Sequence, residues 1–247
     1  RSKPSSDKKA DVRRFTKSVE MYAQVLVEQG KVDQVGEALS YLQNIQGDTA
    51  LTDVELTLLK GRATLMAMEK LQKKGKKINK EKVRNVTEEL KNVQFAAGVS
   101  YLNIVRSNLQ AAHGHIILGE NIEAIKTMKP LNDLLARFDK QLPASLSPLA
   151  RAYYYYGLAL LNLAEESLQN DNREQAKKRM LAAAKRYKKI GKNYVNHAVA
   201  EKALVAFSGV QEFLKQKFDM NIKGPGTTGS LLAKKRKADE FFNVKQY

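Results

Sequence analysis

The stretch that decides the fold runs from Ala150 to Met180: "ARAYYYYGLALLNLAEESLQNDNREQAKKRM". Its apolar residues recur every three or four positions, which is the spacing of an α-helix with a buried face. Four consecutive tyrosines, Tyr153 to Tyr156, break that simple pattern. Because successive helical residues are about 100° apart, the four rings point around most of the helix circumference. We therefore expect either a helix that is packed on several sides or rings that face a partner.

The residues beside this stretch supply helix boundaries. Ser147 and Pro148 are a favourable N-cap and first helical residue, and Asp171 or Asn172 can cap the following helix. Stripes with helical spacing cover most of the chain, and no segment alternates convincingly between apolar and polar residues. Short connections place neighbouring helices antiparallel. The sequence therefore predicts an all-α protein of antiparallel helical hairpins, stacked as an α-solenoid or closed into a helical bundle.

Capping residues and helix breakers predict further boundaries. Gly30 is expected just past the end of a first helix, and Asn79 is expected to cap a later one. A break near Gly98 would divide a long helical stretch into pieces of the usual length. Asn121 should begin another helix, which Pro130 should kink or restart.

Within the quoted stretch, a tyrosine–glycine motif is followed by small residues around a larger one: Tyr153-x2-Tyr156-Gly157-x2-Leu160 and Ala176-x3-Met180-x2-Ala183. These spacings resemble the two helices of a tetratricopeptide repeat, W-x2-L-G-x2-Y and A-x3-F-x2-A. The gap between the halves is about two helical turns longer than the family's usual spacing, so we expect both helices to be about one turn longer. Segments 19–42 and 108–131 carry fragments of the same pattern at the usual spacing.

The resemblance implies a stack of hairpins with a concave groove, lined by the first helix of each hairpin, that binds a protein. Under this interpretation Tyr153 and Tyr156 pack against neighbouring helices, and the groove candidates are Arg151, Tyr154 and Tyr155. The predicted organisation has three parts: a polar basic tail (1–11), a tetratricopeptide-like helical-hairpin domain (12–220), and a glycine-rich linker with a basic C-terminal tail (221–247).

The charge of the chain favours anionic partners. Lysine and arginine number 43 against 26 aspartates and glutamates, a formal net charge of +17. The basic residues form three clusters: Lys73, Lys74, Lys76 and Lys77 at a hairpin turn, Lys178, Lys185 and Lys189 on one helix face, and Lys234, Lys235, Arg236 and Lys237 in the tail. Acidic protein surfaces are the favoured partners. Nucleic acid is the less favoured class, because arginine is sparse and aromatic residues do not interleave with the basic runs.

No combination of residues predicts catalysis, a cofactor or a metal. The absence of cysteine excludes disulfides, thiolate zinc sites and cysteine nucleophiles. His113 and His115 lie about 200° apart on a helix, so they cannot bind one metal ion together. Gly224 and Gly229 have the spacing of a phosphate-binding loop, but Ser230 stands where that loop needs lysine. We therefore expect a protein that is not an enzyme.

These observations favour a non-enzymatic scaffold or adaptor for protein–protein interaction. Two alternatives stay open: a nucleic-acid-binding helical protein, and an exported structural subunit of a larger assembly such as a bacterial filament sheath. The chain starts without Met, which leaves export to a periplasmic or other extracytoplasmic compartment open. Self-assembly is also compatible with the pattern. No apolar stretch is long enough to predict a transmembrane helix.

Overall fold

The computed structural model describes residues 53–225 continuously and residues 18, 19, 21, 22, 25, 26, 34 and 37 as isolated helical positions. Within 53–225 the chain forms eight α-helices and two single 3-10 turns, and it has no β-strand. The helices are α1 (Asp53–Lys73), α2 (Lys80–Asn92), α3 (Tyr101–Leu118), α4 (Asn121–Met128), α5 (Asn132–Gln141), α6 (Pro148–Gln169), α7 (Arg173–Asn193) and α8 (Ala200–Phe218). The all-α prediction is confirmed for this part of the chain. The predicted end of the first helix at Gly30 and the tail cluster, residues 234–237, lie outside the described residues.

The predicted breaks between helices are present. The Oδ1 atom of Asn79 accepts a hydrogen bond from the Lys82 N–H at 2.9 Å and so caps α2. After α2 a 3-10 turn, Val93–Phe95, leads to Gly98 at a φ of +70°, and α3 begins three residues later. Pro130 lies in a second 3-10 turn, Lys129–Leu131, which separates α4 from α5. The local chemistry of these residues therefore sets where the helices end.

The hairpin of α6 and α7 has the caps that the sequence predicts. The Ser147 hydroxyl oxygen accepts the Leu149 N–H at 3.3 Å, and Pro148 is the first residue of α6. Asn172, rather than Asp171, caps α7, because its Oδ1 accepts the Gln175 N–H at 3.1 Å. The two helices are 22 and 21 residues long.

The chain divides into two compact units, Arg1–Leu118 and Gly119–Tyr247. In the first unit, α1, α2 and α3 each pack against the other two, around buried residues such as Leu65, Val83 and Leu90. In the second unit, α6 packs against α4, α5 and α7, and α7 packs against α8. The predicted helical domain, residues 12–220, spans parts of both units.

In the second unit, Tyr187 of α7 packs directly against Gly157 of α6. Tyr187 is fully buried, and its ring lies over the glycine, where a side chain on α6 would otherwise stand. Its hydroxyl oxygen has no hydrogen-bond partner among the described residues, and burial raises the pKa of this phenol. Because Gly157 has no side chain, the large ring of Tyr187 fits between the two helices.

Gly157→Ala is expected to destabilise the second unit by about 1–3 kcal/mol, because it overpacks a closed contact. The added Cβ would lie 2.5 Å from the Cε1 atom of Tyr187. Urea unfolding followed by circular dichroism measures the effect. Gly209 of α8 is the matched control, since a Cβ there meets no heavy atom within 4 Å. Gly209→Ala should raise the free energy of unfolding by about 0.5–1 kcal/mol through helix propensity. Equal effects of the two variants would contradict the close contact.

A candidate binding surface of basic and aromatic side chains

Helix α7 presents a concentrated basic surface. From residue 173 to residue 192 it carries nine lysines and arginines and one acidic residue, Glu174. Its apolar stripe is buried and comprises Ala176, Met180, Ala183, Tyr187 and Ile190. The lysines that the sequence places on the opposite face, Lys178, Lys185 and Lys189, are exposed. The helix is therefore clearly divided into a buried apolar side and an open cationic side.

Tyrosines of α6 hold two of these cations in place. The Lys189 Nζ lies 5.1 Å from the ring centroid of Tyr153 and 3.2 Å from its hydroxyl oxygen. The Arg186 guanidinium carbon lies 4.1 Å from the ring centroid of Tyr156. Such contacts contribute roughly 0.5–1 kcal/mol at exposed sites and more where water is excluded. Partial burial lowers the pKa of Arg186, while Tyr156 and Tyr153 act in the opposite direction. Each of the two cations therefore has a favourable position over a tyrosine ring.

On the side of α7 that faces α8, Phe218 of α8 contacts two further cations of α7. The guanidinium carbon of Arg173 and the Nζ of Lys177 lie 5.7 and 5.9 Å from the ring centroid of Phe218. An Arg173 Nη2–H also donates to the backbone carbonyl of Lys217 at 3.1 Å. Four cations of α7 therefore rest on rings supplied by the two neighbouring helices.

One basic residue of α7 has a structural role instead. Arg179 is half-buried, and its Nη1 donates to the Leu163 carbonyl at 2.6 Å and to the Ser167 hydroxyl oxygen at 2.5 Å. Its donors are used on the backbone and a side chain of α6, so Arg179 joins the two helices rather than extending the binding surface.

One of the predicted groove residues, Tyr154, is buried. Tyr154 is only 7% exposed and packs against Tyr187, with ring centroids 6.2 Å apart. It lies three residues before Gly157 on the same face of α6, so the contact at that glycine draws its ring into the core. Tyr154 is therefore a core residue. Tyr155 and Arg151 are half-buried, and Tyr155 packs against the same core.

The four tyrosines therefore have different surroundings. Tyr153 and Tyr156, expected to pack against neighbouring helices, are half-buried, and their rings contact Lys189 and Arg186 of α7. Arg186 was not among the predicted binding residues. The signal for it lay in the sequence, because Arg186 and Lys189 are three positions apart and flank Tyr187 on α7.

A shared carboxylate positions this surface. The Oδ1 atom of Asp139, in α5, accepts hydrogen bonds from the Ser147 hydroxyl at 2.6 Å and the Tyr194 hydroxyl at 2.8 Å. The Tyr194 ring meets Tyr153 edge-on at a centroid distance of 6.4 Å. Burial, followed by the hydrogen bond and negative charge of Asp139, raises the pKa of Tyr194. The network therefore links the end of α5, the start of α6 and the end of α7 beneath Tyr153.

His197 lies in the connection after α7. Its side chain is buried, and its Nδ1 accepts the Val199 N–H at 3.2 Å, so the ring is held in a neutral form. Burial, and then the positive charge of Arg151, lowers the pKa of His197, against the opposing effect of a backbone hydrogen bond with Ser147.

The remaining histidines, His113 and His115 of α3, are also buried. His113 Nε2 lies 3.3 Å from a carboxylate oxygen of Glu69. Burial alone would raise the pKa of Glu69, but hydrogen bonds and charges of His113 and Lys73 outweigh it and lower the pKa to about 2.

Among the described residues no group of three potential ligands is placed to hold a metal ion. No helix of that part of the chain has the length and apolar character needed to span a membrane.

Comparisons with protein-family models, curated proteins and solved structures found no match to the chain.

The free energy of unfolding is expected to fall as the pH is lowered from about 7 to about 5. The folded-state pKa of His197 lies below its ordinary value of 6.5, so in this window the unfolded chain binds a proton that the folded chain excludes. His197→Asn keeps a side-chain acceptor for the Val199 N–H and should flatten the dependence. Urea unfolding at several pH values measures both slopes. If the variant keeps the same pH dependence as the parent, groups other than His197 cause that dependence. Glu69 is not one of them, because its folded-state pKa of about 2 lies well below this pH window.

Proposed function

We propose that the protein is a non-enzymatic scaffold that binds an acidic segment of a partner protein on the surface formed by α6 and α7. The observation that carries this proposal is that Arg186 and Lys189 rest on tyrosine rings of α6, on a helix in which residues 173–192 include one acidic residue. A concentrated positive field attracts and orients an acidic partner.

The geometry also favours affinity, not attraction alone. Binding normally costs free energy because flexible side chains become ordered, and a cation already resting on a ring loses less freedom. Arg186 lies against Tyr156 at 4.1 Å, and arginine and tyrosine are the residue types most often found at the energetic centre of interfaces. Arg186 Nη1 donates to the Ala182 carbonyl at 3.0 Å, and the other N–H groups of the guanidinium can donate to a carboxylate of the partner.

The tetratricopeptide-like arrangement is part of the proposal. It is supported by the succession of antiparallel helices and by small residues where helices meet, such as Gly157 against Tyr187 and Gly191 against Leu204. In such a stack α6 would be a first helix and would present Tyr155 toward the groove. A closed bundle is the alternative arrangement.

Nucleic-acid binding is the second candidate, because the structure brings Tyr153 and Tyr156 next to basic side chains that are distant in the sequence. The protein partner is favoured, since the cations of α7 already cover part of each ring and leave less of it for a base to stack on.

Arg186→Gln combined with Lys189→Gln is expected to weaken binding of a fluorescein-labelled glutamate-rich peptide about tenfold, which corresponds to the loss of two charge contacts. Fluorescence anisotropy at about 50 mM salt, where screening is weak, measures it. The control is Lys129→Gln with Lys202→Gln, which removes the same charge from two exposed positions elsewhere in the second unit.

A nuclease-treated affinity capture with the same variants extends this test to natural partners. An acidic protein that is retained by the parent and the control, but lost with the α7 variant, is the expected result. Equal weakening by both variants would show that only net charge matters. If the parent captures nucleic acid when nuclease is omitted, and captures no protein when nuclease is present, nucleic-acid binding replaces the proposal.

A further inference from the structure

The first unit carries a second cationic feature, which the surface on α6 and α7 does not include. The turn between α1 and α2, with the ends of both helices, is the segment 73–82; it contains six lysines and one carboxylate, Glu81. Lys73 is paired with Glu69 at 2.5 Å. The amines of the other five form no ion pair with any residue that the structure describes, and all five are exposed: Lys74, Lys76, Lys77, Lys80 and Lys82.

The backbone that presents these lysines is fixed at several points. Gly75 has a φ of +67°, its N–H donates to the Gln72 carbonyl at 2.9 Å, and the Lys76 N–H donates to the Leu71 carbonyl at 3.0 Å. This pair of bonds closes the C-terminus of α1 in a Schellman motif. Three residues further on, Ile78 is half-buried against the core of the first unit, and Asn79 then caps α2. The lysine stems therefore project from an ordered turn.

The turn lies beside an open, shallow concavity of the surface. The described residues that line it are Lys76, Lys77, Ile78, Asn79 and Lys80. It lies at the start of α2, a helix of 13 residues, whose first N–H groups have no partner within the helix and add a positive end. Unpaired amines, a concave shape and a helix N-terminus thus coincide at one place.

We propose that this turn binds a ligand with several closely spaced phosphate groups, either a free oligophosphate or the multiply phosphorylated headgroup of a lipid. Five unpaired amines repel one another, and a ligand with one carboxylate would offset only one of them, whereas adjacent phosphates offset several. Lysine suits this chemistry because it contacts phosphate as a compact charge without a fixed planar geometry. The segment 73–82 has no aromatic residue on which a base could stack, which favours phosphate over nucleic-acid bases.

The test compares two variants of the full chain. Lys76→Gln, Lys77→Gln and Lys80→Gln together remove three charges from the concavity, and all three positions are exposed. The control removes three charges from exposed positions of the second unit: Lys129→Gln, Lys202→Gln and Lys215→Gln. Isothermal titration calorimetry with tripolyphosphate, at about 50 and about 200 mM salt, measures binding of the free ligand.

Sedimentation with vesicles identifies the source of the phosphate. One set of vesicles contains phosphatidylcholine alone, and the other adds a small fraction of an inositol lipid that carries two ring phosphates. The parent should bind tripolyphosphate, the inositol-lipid vesicles or both. The concavity variant should bind the same probe about tenfold more weakly, while the control changes less than about twofold. Tripolyphosphate alone identifies a free oligophosphate, and vesicles alone identify a lipid headgroup.

Three results would overturn the proposal: no binding of either probe by the parent, equal weakening by the two variants, or a single-stranded RNA that binds more tightly than tripolyphosphate and depends equally on the three lysines. None of these results bears on the acidic peptide test of α7, because Lys76, Lys77 and Lys80 belong to the first unit and Arg186 and Lys189 to the second.

Discussion

The contact between Gly157 and Tyr187 is the constraint on which the second unit depends. A glycine in the middle of a helix has a conformational cost, and a phenol oxygen buried without a partner has another. Both are offset by the area that a fully buried tyrosine ring removes from water. Because the ring occupies the space that the glycine leaves, this contact favours one rotation of the two long helices relative to each other. That rotation determines which side chains of α6 are buried and which reach the surface.

The cationic surface follows from the same rotation. With Tyr154 in the core, its neighbours Tyr153 and Tyr156 are turned to the edges of the helix, where α7 supplies Lys189 and Arg186. The cluster of tyrosines, which is hard to explain for a helix with one buried face, therefore has two roles. One ring completes the core, and others hold charges that would otherwise move freely in solvent.

Much of the fold could be predicted from the sequence because its signals are local. The caps at Asn79, Ser147 and Asn172 and the break at Gly98 depend on residues a few positions apart, and all are present. The exposed face of α7 was equally clear from spacing alone. The direction in which each tyrosine ring points could not be predicted in this way, because it depends on a residue about thirty positions later in the sequence. Tyr154 could be placed in the core only once Tyr187 was known to lie over Gly157.

Asp139 shows how the second unit holds together away from its apolar core. One carboxylate oxygen accepts hydrogen bonds from the hydroxyls of Ser147 and Tyr194. It therefore joins the adjacent ends of α5 and α6 to the end of α7, which lies 55 residues beyond Asp139 in the sequence. Fraying at any one end withdraws a donor and leaves a partly desolvated negative charge with less compensation. We therefore expect local opening at this corner to be cooperative, with the three ends exchanging with solvent together as one small folding unit.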